Sequence, residues 1–538
     1  MGDESAVNWR IHPVDLAIIA IYLIGITALG IYSSRRQRTT SNEYFLADRS
    51  LGWGMIGAAL FATNISTVHL VGLASNGYQD GLVYGNFEWM APFCLLLLGM
   101  VFAPFYFRNR IATLPEYLER RYSPMARTIL AVLAIVGALF IHIGVSLYSG
   151  AVIFQSLFDM PMLVSLGIVS GLTVLYTVLG GLKAVVVTET AQTALLLFAA
   201  AVIALRACWA LPEAGIHTWP DFVAAAGADR LSMLHTHGNN PWWGFVLGYP
   251  VLGIWYWCAD QTIVQRVLAA RTERDARLGP IFCGFIKVLP VFLMVMPGVI
   301  AAVLFREQIG DRPDDTLTVL IDELLPVGLK GLVCAGLLAA LMSTVAGALN
   351  STSTLVSIDI AQRLWPRLTD RSLVRIGRIT ACVVMVLAMA WSTQGGRFGG
   401  IFAGLNAMIA CLAPPITAVF LAGVLWPRGT SQAALATLVL GFLLGGTVFV
   451  LDFPAFGLHI LTRDYGVPFL MQAWWLFVIC AITFVSVSLM TPAPNPEKIA
   501  GLCWTGQPTE RSERGDWLSW TMAGALLVVM GALYWVFA

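Results

Sequence analysis

This chain of 538 residues is 58% hydrophobic and only 12% charged, about half the charged fraction of ordinary soluble domains, so a water-soluble globular protein is excluded at the outset. Its formal net charge of +1 offers no field to draw in nucleic acid or an acidic partner. Nine cysteines lie scattered without CxxC or CxxH spacing, which excludes a disulfide framework and a zinc site.

Apolar runs of about 20 residues, enough to cross ~30 Å of hydrocarbon as a helix, follow one another along the chain. The first, over 14–32, has one Arg ahead of it, the Arg35-Arg36-Gln37-Arg38 cluster behind it and no small-residue cleavage site, so it reads as a retained anchor and not a signal peptide. Runs over 52–75, 87–107, 127–157, 162–179 and 184–206 come next. An outer loop over 207–242, rich in Trp, His, Gly and Asn, separates them from 243–267, 278–305, 329–362, 374–394, 399–426, 431–451, 469–490 and 517–537. The predicted fold class is therefore an all-α integral membrane protein with about 14 transmembrane helices. Assigning the first Arg cluster to the cytoplasm makes every second loop basic and puts 23 of the 32 Lys and Arg on that side, so both termini are predicted on the outer face. No extramembrane segment is long enough for a catalytic domain, and no nucleophile–base pair or phosphate loop is found, so an enzyme is not expected.

Within the second run, Phe61-Ala62-Thr63-Asn64-Ile65-Ser66-Thr67 places polar side chains where a plain membrane helix has none. A broken helix is the predicted cause. Irregular backbone survives at that depth only where protein or a hydrated cavity satisfies it, and such breaks commonly hold an ion or a solute.

Four blocks extend the argument: ATNISTVHLVGLASNGY with Glu88-Trp89 after it, LYTVLGGLKAVVVTETAQT from Leu175, YWCADQTIVQRVLAAR from Tyr256 with IKVLPVFLMVMPG from Ile286, and GLKGLVCAGLLAALMSTVAGALNSTST from Gly328. Together they resemble the sodium/solute symporter family, and specifically a bacterial member of its sodium/glucose cotransporter branch. The resemblance implies a core of two inverted five-helix repeats, the LeuT-like fold. Its expected divisions are an N-terminal helix and loop (1–50), the first repeat (51–206), the outer loop (207–242), the second repeat (243–428) and extra C-terminal helices (429–538).

The same resemblance implies a Na+ site made by the carbonyls of Ala62, Ile65 and Ala340 and the hydroxyls of Ser343 and Thr344. Hard oxygen ligands of this kind suit a dehydrating cation. A second sodium site found in some relatives needs hydroxyls where this chain has Ala346 and Gly347, so Glu189 can at most assist coupling and one Na+ per solute is expected. For the solute, the resemblance assigns Asn64, His69, Glu88 and Lys287 to hydroxyl contacts and Tyr256 to stacking as the inner gate, with Trp257 and Phe87 beside it. Asp260 and Arg266 read as fold-holding or inner-gate residues, and His142 is a further candidate for the cavity wall.

Two departures bear on the solute. Asn406 stands where sugar carriers generally have Gln, shortening the amide's reach by about one C–C bond, near the aromatic wall position of Phe402; Gly253 replaces a small polar residue and is expected to enlarge the cavity. The implied activity is sodium-coupled import of a glucose- or galactose-like monosaccharide by alternating access across the bacterial inner membrane. An inositol-like polyol carrier, a sugar sensor without coupled transport and proton coupling through Glu189 stay open.

Overall fold

The computed structural model describes residues 12–35, 40–158, 161–236, 238, 240–394, 401–452, 458, 460–504 and 517–538, with the side chains of 156–158 and 401–407 outside that description. Among the described residues the regular elements are helices, joined by one isolated bridge between Leu51 and Ala270. Several helices start on Ser or Thr: Thr113, Ser123, Thr272, Thr369 and Thr430 each accept a backbone N–H of the first turn. Such caps satisfy donors that the helix itself leaves unpaired.

Eleven helices among the described residues are long and apolar enough to cross a membrane, or up to twelve if the bent pair Trp53–Asn64 and Thr67–Asp80 is one span. The expected count of about 14 differs from this at two places. Met162–Ala210 is one helical stretch of 49 residues, roughly 70 Å at ~1.5 Å per residue and so over twice the hydrocarbon thickness. It is interrupted at Gly181, whose φ of 53° and ψ of −155° belong to a region that essentially glycine alone occupies. The run expected over 243–267 is likewise divided, into Trp242–Ile254, a π-helical turn Trp255–Ala259 and Gln261–Leu268.

The helix Leu329–Thr354 is the axis of the molecule: all of its side chains from Val333 to Thr354 are buried. Asp15, from the first helix, reaches its start and accepts the N–H groups of Gly328 and Gly331 at 2.7 Å each, a carboxylate where the helix dipole favours one. At one end of the molecule, Arg108 pairs with Glu273 at 2.8 Å, Arg127 with Asp359 at 2.7 Å and Arg363 with Glu119 at 3.6 Å. These pairs gather the loops near 108–127, 271–277 and 359–370 on a single face. Arg121, buried there, donates to the carbonyls of Gly423, Trp426, Pro427 and Gly429, which satisfies the C-terminal end of Ile401–Leu425. At the opposite end, Asn86 donates to the Met233 carbonyl at 2.7 Å and accepts from Tyr534 at 2.8 Å. The outer loop and the last helix are thereby tied over the short helix Asn86–Trp89 that carries Glu88.

Candidate substrate and cation site

The first broken span ends its first half at Asn64 because Ile65 (ψ 107°) and Ser66 (ψ 177°) are extended, and the two halves meet at a bend of 64°. Ser66 then opens the second half: its N–H donates to Nδ1 of His69 at 3.3 Å. A ring nitrogen that accepts leaves the proton of a neutral imidazole on Nε2, so this tautomer follows from the hydrogen bond.

A break of this kind frees carbonyls, and the axial helix answers them. Ser343 Oγ lies 2.8 Å from the Ala62 carbonyl and 3.0 Å from that of Ala340. Thr344 Oγ1 lies 3.1 Å from the Thr63 carbonyl and 3.5 Å from that of Ile65. All these residues are buried, and the five oxygens named from the sequence stand together with a sixth, the carbonyl of Thr63. Six hard oxygens without a net charge suit a monovalent cation better than a divalent one, whose sites recruit carboxylates.

Beside this cluster the second broken span turns at Asp260, whose backbone is extended and whose Oδ1 accepts the Thr262 N–H at 2.6 Å. Its other oxygen lies 2.9 Å from Nε2 of His142. The π-helical turn before the break carries Tyr256 and Trp257, with their rings edge to face at 5.1 Å. Asn64 links the two broken spans: its Nδ2 donates to the Tyr256 hydroxyl at 3.0 Å, and its Oδ1 accepts from Lys287 Nζ at 2.5 Å. Lys287 also pairs with Glu88, and its ammonium sits 5.7 Å from the Trp257 ring and 6.0 Å from Phe61. Desolvating two charges costs several kcal/mol per ion before the pairing is counted; the amide oxygen and the aromatic faces contribute to the compensation.

Asn64, His69, Phe87, Glu88, Tyr256, Trp257 and Lys287 all line one cavity, with about 830 Å³ of empty space including its solvent-open mouth. Thr344 lines it as well, so the cation cluster and the cavity share a wall. The side chains of Phe402 and Asn406 lie outside the described residues. Glu189 is away from the cavity, fully buried, accepting from Thr63 Oγ1 at 2.9 Å and paired with Arg266. Gly253 lines the cavity but does not enlarge it as expected: a Cβ there would lie 2.6 Å from Cys94 Sγ and 2.9 Å from Tyr249 Cε1, so neighbouring side chains take the space.

Ser66, His142, Ser146 and Tyr249 are further polar groups on the wall. His142 was a candidate from the sequence; Ser66 was named only as part of the polar run, and Ser146 and Tyr249 were not named. Spacing held a signal for two of them. Tyr249 precedes Tyr256 by seven residues, two helical turns on one face, and Ser146 follows His142 by four.

Residues 44–441 match the family described as the sodium:solute symporter family. The chain belongs to that family. Within the sodium:solute symporters it is 37% identical to the sodium/mannose cotransporter SLC5A10 of Bos taurus, over 94% of this chain and 91% of that one. It is 33% identical to sodium/glucose cotransporter 1 of Oryctolagus cuniculus, over 92% of this chain and 81% of the relative. Among solved structures it resembles a Na+-coupled sialic acid symporter in a substrate-bound outward-open state, with a TM-score of 0.75 over 90% of this chain and 99% of that one. At 18% identity that likeness establishes the fold, that of the LeuT-like transporters. A symporter carries solutes through the membrane, and the chain is a transporter and not an enzyme.

Proposed function

We propose that this symporter imports a monosaccharide, glucose- or galactose-like, together with one Na+ per sugar. The observation that carries the reading is the shared wall: Thr344 belongs both to the buried oxygen cluster and to the cavity, and Asn64 follows directly on the freed carbonyls of Ala62 and Thr63. Sodium bound among the oxygens of Ala62, Ile65, Ala340, Ser343 and Thr344 holds the broken span against the axial helix. That fixes Asn64, and through it Tyr256 and Lys287, in the pose that meets the sugar. Asn64, His69, Glu88 and Lys287 offer donors and acceptors to ring hydroxyls, while Tyr256, Trp257 and Phe87 give the apolar faces against which C–H groups rest. When the ion leaves, Tyr256 is released and the cavity opens inward.

One ion per sugar is supported by the absence of hydroxyls at Ala346 and Gly347 and by Glu189, whose carboxylate is already engaged by the Arg266 guanidinium. A tethered cation there leaves no charge deficit for a second sodium. The face that gathers Arg108, Arg127 and Arg363 is the cytoplasmic one, because basic loops are retained on that side; both termini then lie outside, in a bacterial inner membrane.

Sealed proteoliposomes holding the purified protein test the reading, with labelled sugar, an inward Na+ gradient, constant pH and a panel of unlabelled sugars and polyols as competitors. Uptake above equilibrium that a hexose competes is the expected result. Sodium-dependent binding without accumulation would make the protein a sensor, and competition by polyols alone would make it a polyol carrier.

A further inference from the structure

The last helix, Trp517–Val536, lies beyond the residues that match the family, and most of its surface is open, with Trp517 70% and Trp535 86% exposed. One stripe is covered. Ser519, Ala523, Leu526 and Met530 are buried at spacings of four, three and four residues, which is one face of a helix, and the half-buried Tyr534 and Phe537 prolong it. That face rests on Glu273–Ile286 and Ala91–Leu97. The first of these ends on Lys287 as its C-cap, and the second begins three residues after Glu88. At Gly284, one turn before Lys287, an added Cβ would lie 2.6 Å from Leu526 Cδ2 and 3.7 Å from Pro92 Cα. All three helices converge there, and the missing side chain admits Leu526.

Hydrogen bonds close the outer end of this packing into a ring. The Tyr534 hydroxyl donates to Asn86 Oδ1 at 2.8 Å, Asn86 Nδ2 donates to the Met233 carbonyl at 2.7 Å, and the Met233 N–H donates to the Phe537 carbonyl at 2.7 Å. Trp89, fully buried, stands between the rings of Tyr534 and Phe537, edge to face at 5.5 and 5.8 Å. Its Nε1 donates to the Val288 carbonyl at 3.2 Å. Trp89 and Val288 are the chain neighbours of Glu88 and Lys287, so this bond sets the register of the ion pair beside it. A buried pair repays its desolvation only in good geometry, and a recognition site needs its groups held within about 0.5 Å. Two flexible side chains do not supply that by themselves. A rigid frame on the side away from the cavity does.

We infer that the last helix is a clasp that positions Glu88 and Lys287 for the solute, with Tyr534 as the positioning residue at its tip. The inference rests on the proposed solute contacts of that pair. Glu88, Phe87 and Lys287 line the cavity, whereas Tyr534, Asn86 and Trp89 stand behind them. Tyr534 therefore acts through Asn86 and Trp89, and Leu526 acts through Gly284. The oxygens of Ser343 and Thr344 take no part in the ring, so the clasp bears on the solute and not on the ion.

Uptake of a labelled hexose by the full chain in sealed proteoliposomes at saturating Na+, with monodeoxy analogues of that hexose as competitors, tests this. Tyr534→Phe loses only the hydroxyl that reaches Asn86. It is expected to raise the half-saturating hexose concentration roughly fivefold, the scale of one hydrogen bond, with turnover and the half-saturating Na+ concentration held within about twofold. The native protein should reject most strongly the analogue that lacks the hydroxyl met by Glu88, and Tyr534→Phe should weaken that one rejection by the same factor. Asn86→Leu should reproduce the effect, and the two substitutions together should cost no more than Asn86→Leu alone, since both break one link. A loss shared equally by the hexose and every analogue overturns the clasp, as do additive losses in the double variant. If the native protein shows no sodium-driven hexose uptake, the transport reading falls and the clasp with it; sodium-driven uptake with Tyr534→Phe indistinguishable from native removes the clasp alone.

Discussion

Lys287 and Glu88 are 1% and 2% exposed, so each charge is compensated chiefly by the other. Replacing Lys287 by Met leaves a buried carboxylate unpaired, a change that costs about 3–5 kcal/mol in comparable ion pairs. Lys287→Met should therefore melt well below the native protein in detergent, while Glu88→Gln combined with Lys287→Met should regain most of the loss. Neither variant should accumulate sugar. If the double variant transports normally, the pair is structural and contributes nothing to recognition. At this scale Asn64, His69, Glu88 and Lys287 were named through the resemblance, and all four line one cavity. Tyr249 was missed although it stands two turns before Tyr256, since a tyrosine among tryptophans and glycines also looks like any membrane-facing aromatic. Gly253 was misread because a missing side chain signals space only when nothing else fills it; here Cys94 and Tyr249 do.

The two breaks were unequally visible. Ile65-Ser66 sits inside a polar run, so the span's interruption could be read directly. The break at Asp260 lies toward the far end of its run, where a charged residue is unremarkable, and the π-helical turn before it carries neither proline nor glycine. Asp260 acts there in two ways: its side chain caps Gln261–Leu268 and holds His142. These separate by substitution. Asparagine caps a helix about as well as aspartate, whereas alanine loses about 0.5–2 kcal/mol. Asp260→Asn should thus keep the native melting temperature in detergent and Asp260→Ala should lower it. Equal loss in both would mean that the carboxylate charge toward His142, and not the cap, is the stabilising interaction. The Gly181 interruption divides a helix that the sequence had already divided at the same place, because Gly180-Gly181 precedes Lys183 between two apolar runs.

At the scale of the whole molecule, the succession of apolar runs and the resemblance of four blocks were enough to give fold and family, because both are distributed over hundreds of residues. Coupling is not written in any one of them. In the proposed function it depends on the first broken span, the axial helix and the second broken span, which meet at Thr344, Asn64 and Tyr256. If sodium raises sugar affinity by organising that junction, thermodynamic linkage requires that sugar raise sodium affinity by the same factor. Equilibrium titrations of purified protein, sugar with and without saturating Na+ and Na+ with and without saturating sugar, should give equal ratios, on the order of 5- to 150-fold. Ser343→Ala removes one oxygen from the proposed ion site without touching the cavity, so it should weaken Na+ binding while leaving sugar affinity in the absence of Na+ unchanged. A native ratio near one in both directions would show that the shared wall transmits nothing. A Ser343→Ala variant with native Na+ affinity would place the ion elsewhere, and the junction would then have to be explained by packing alone.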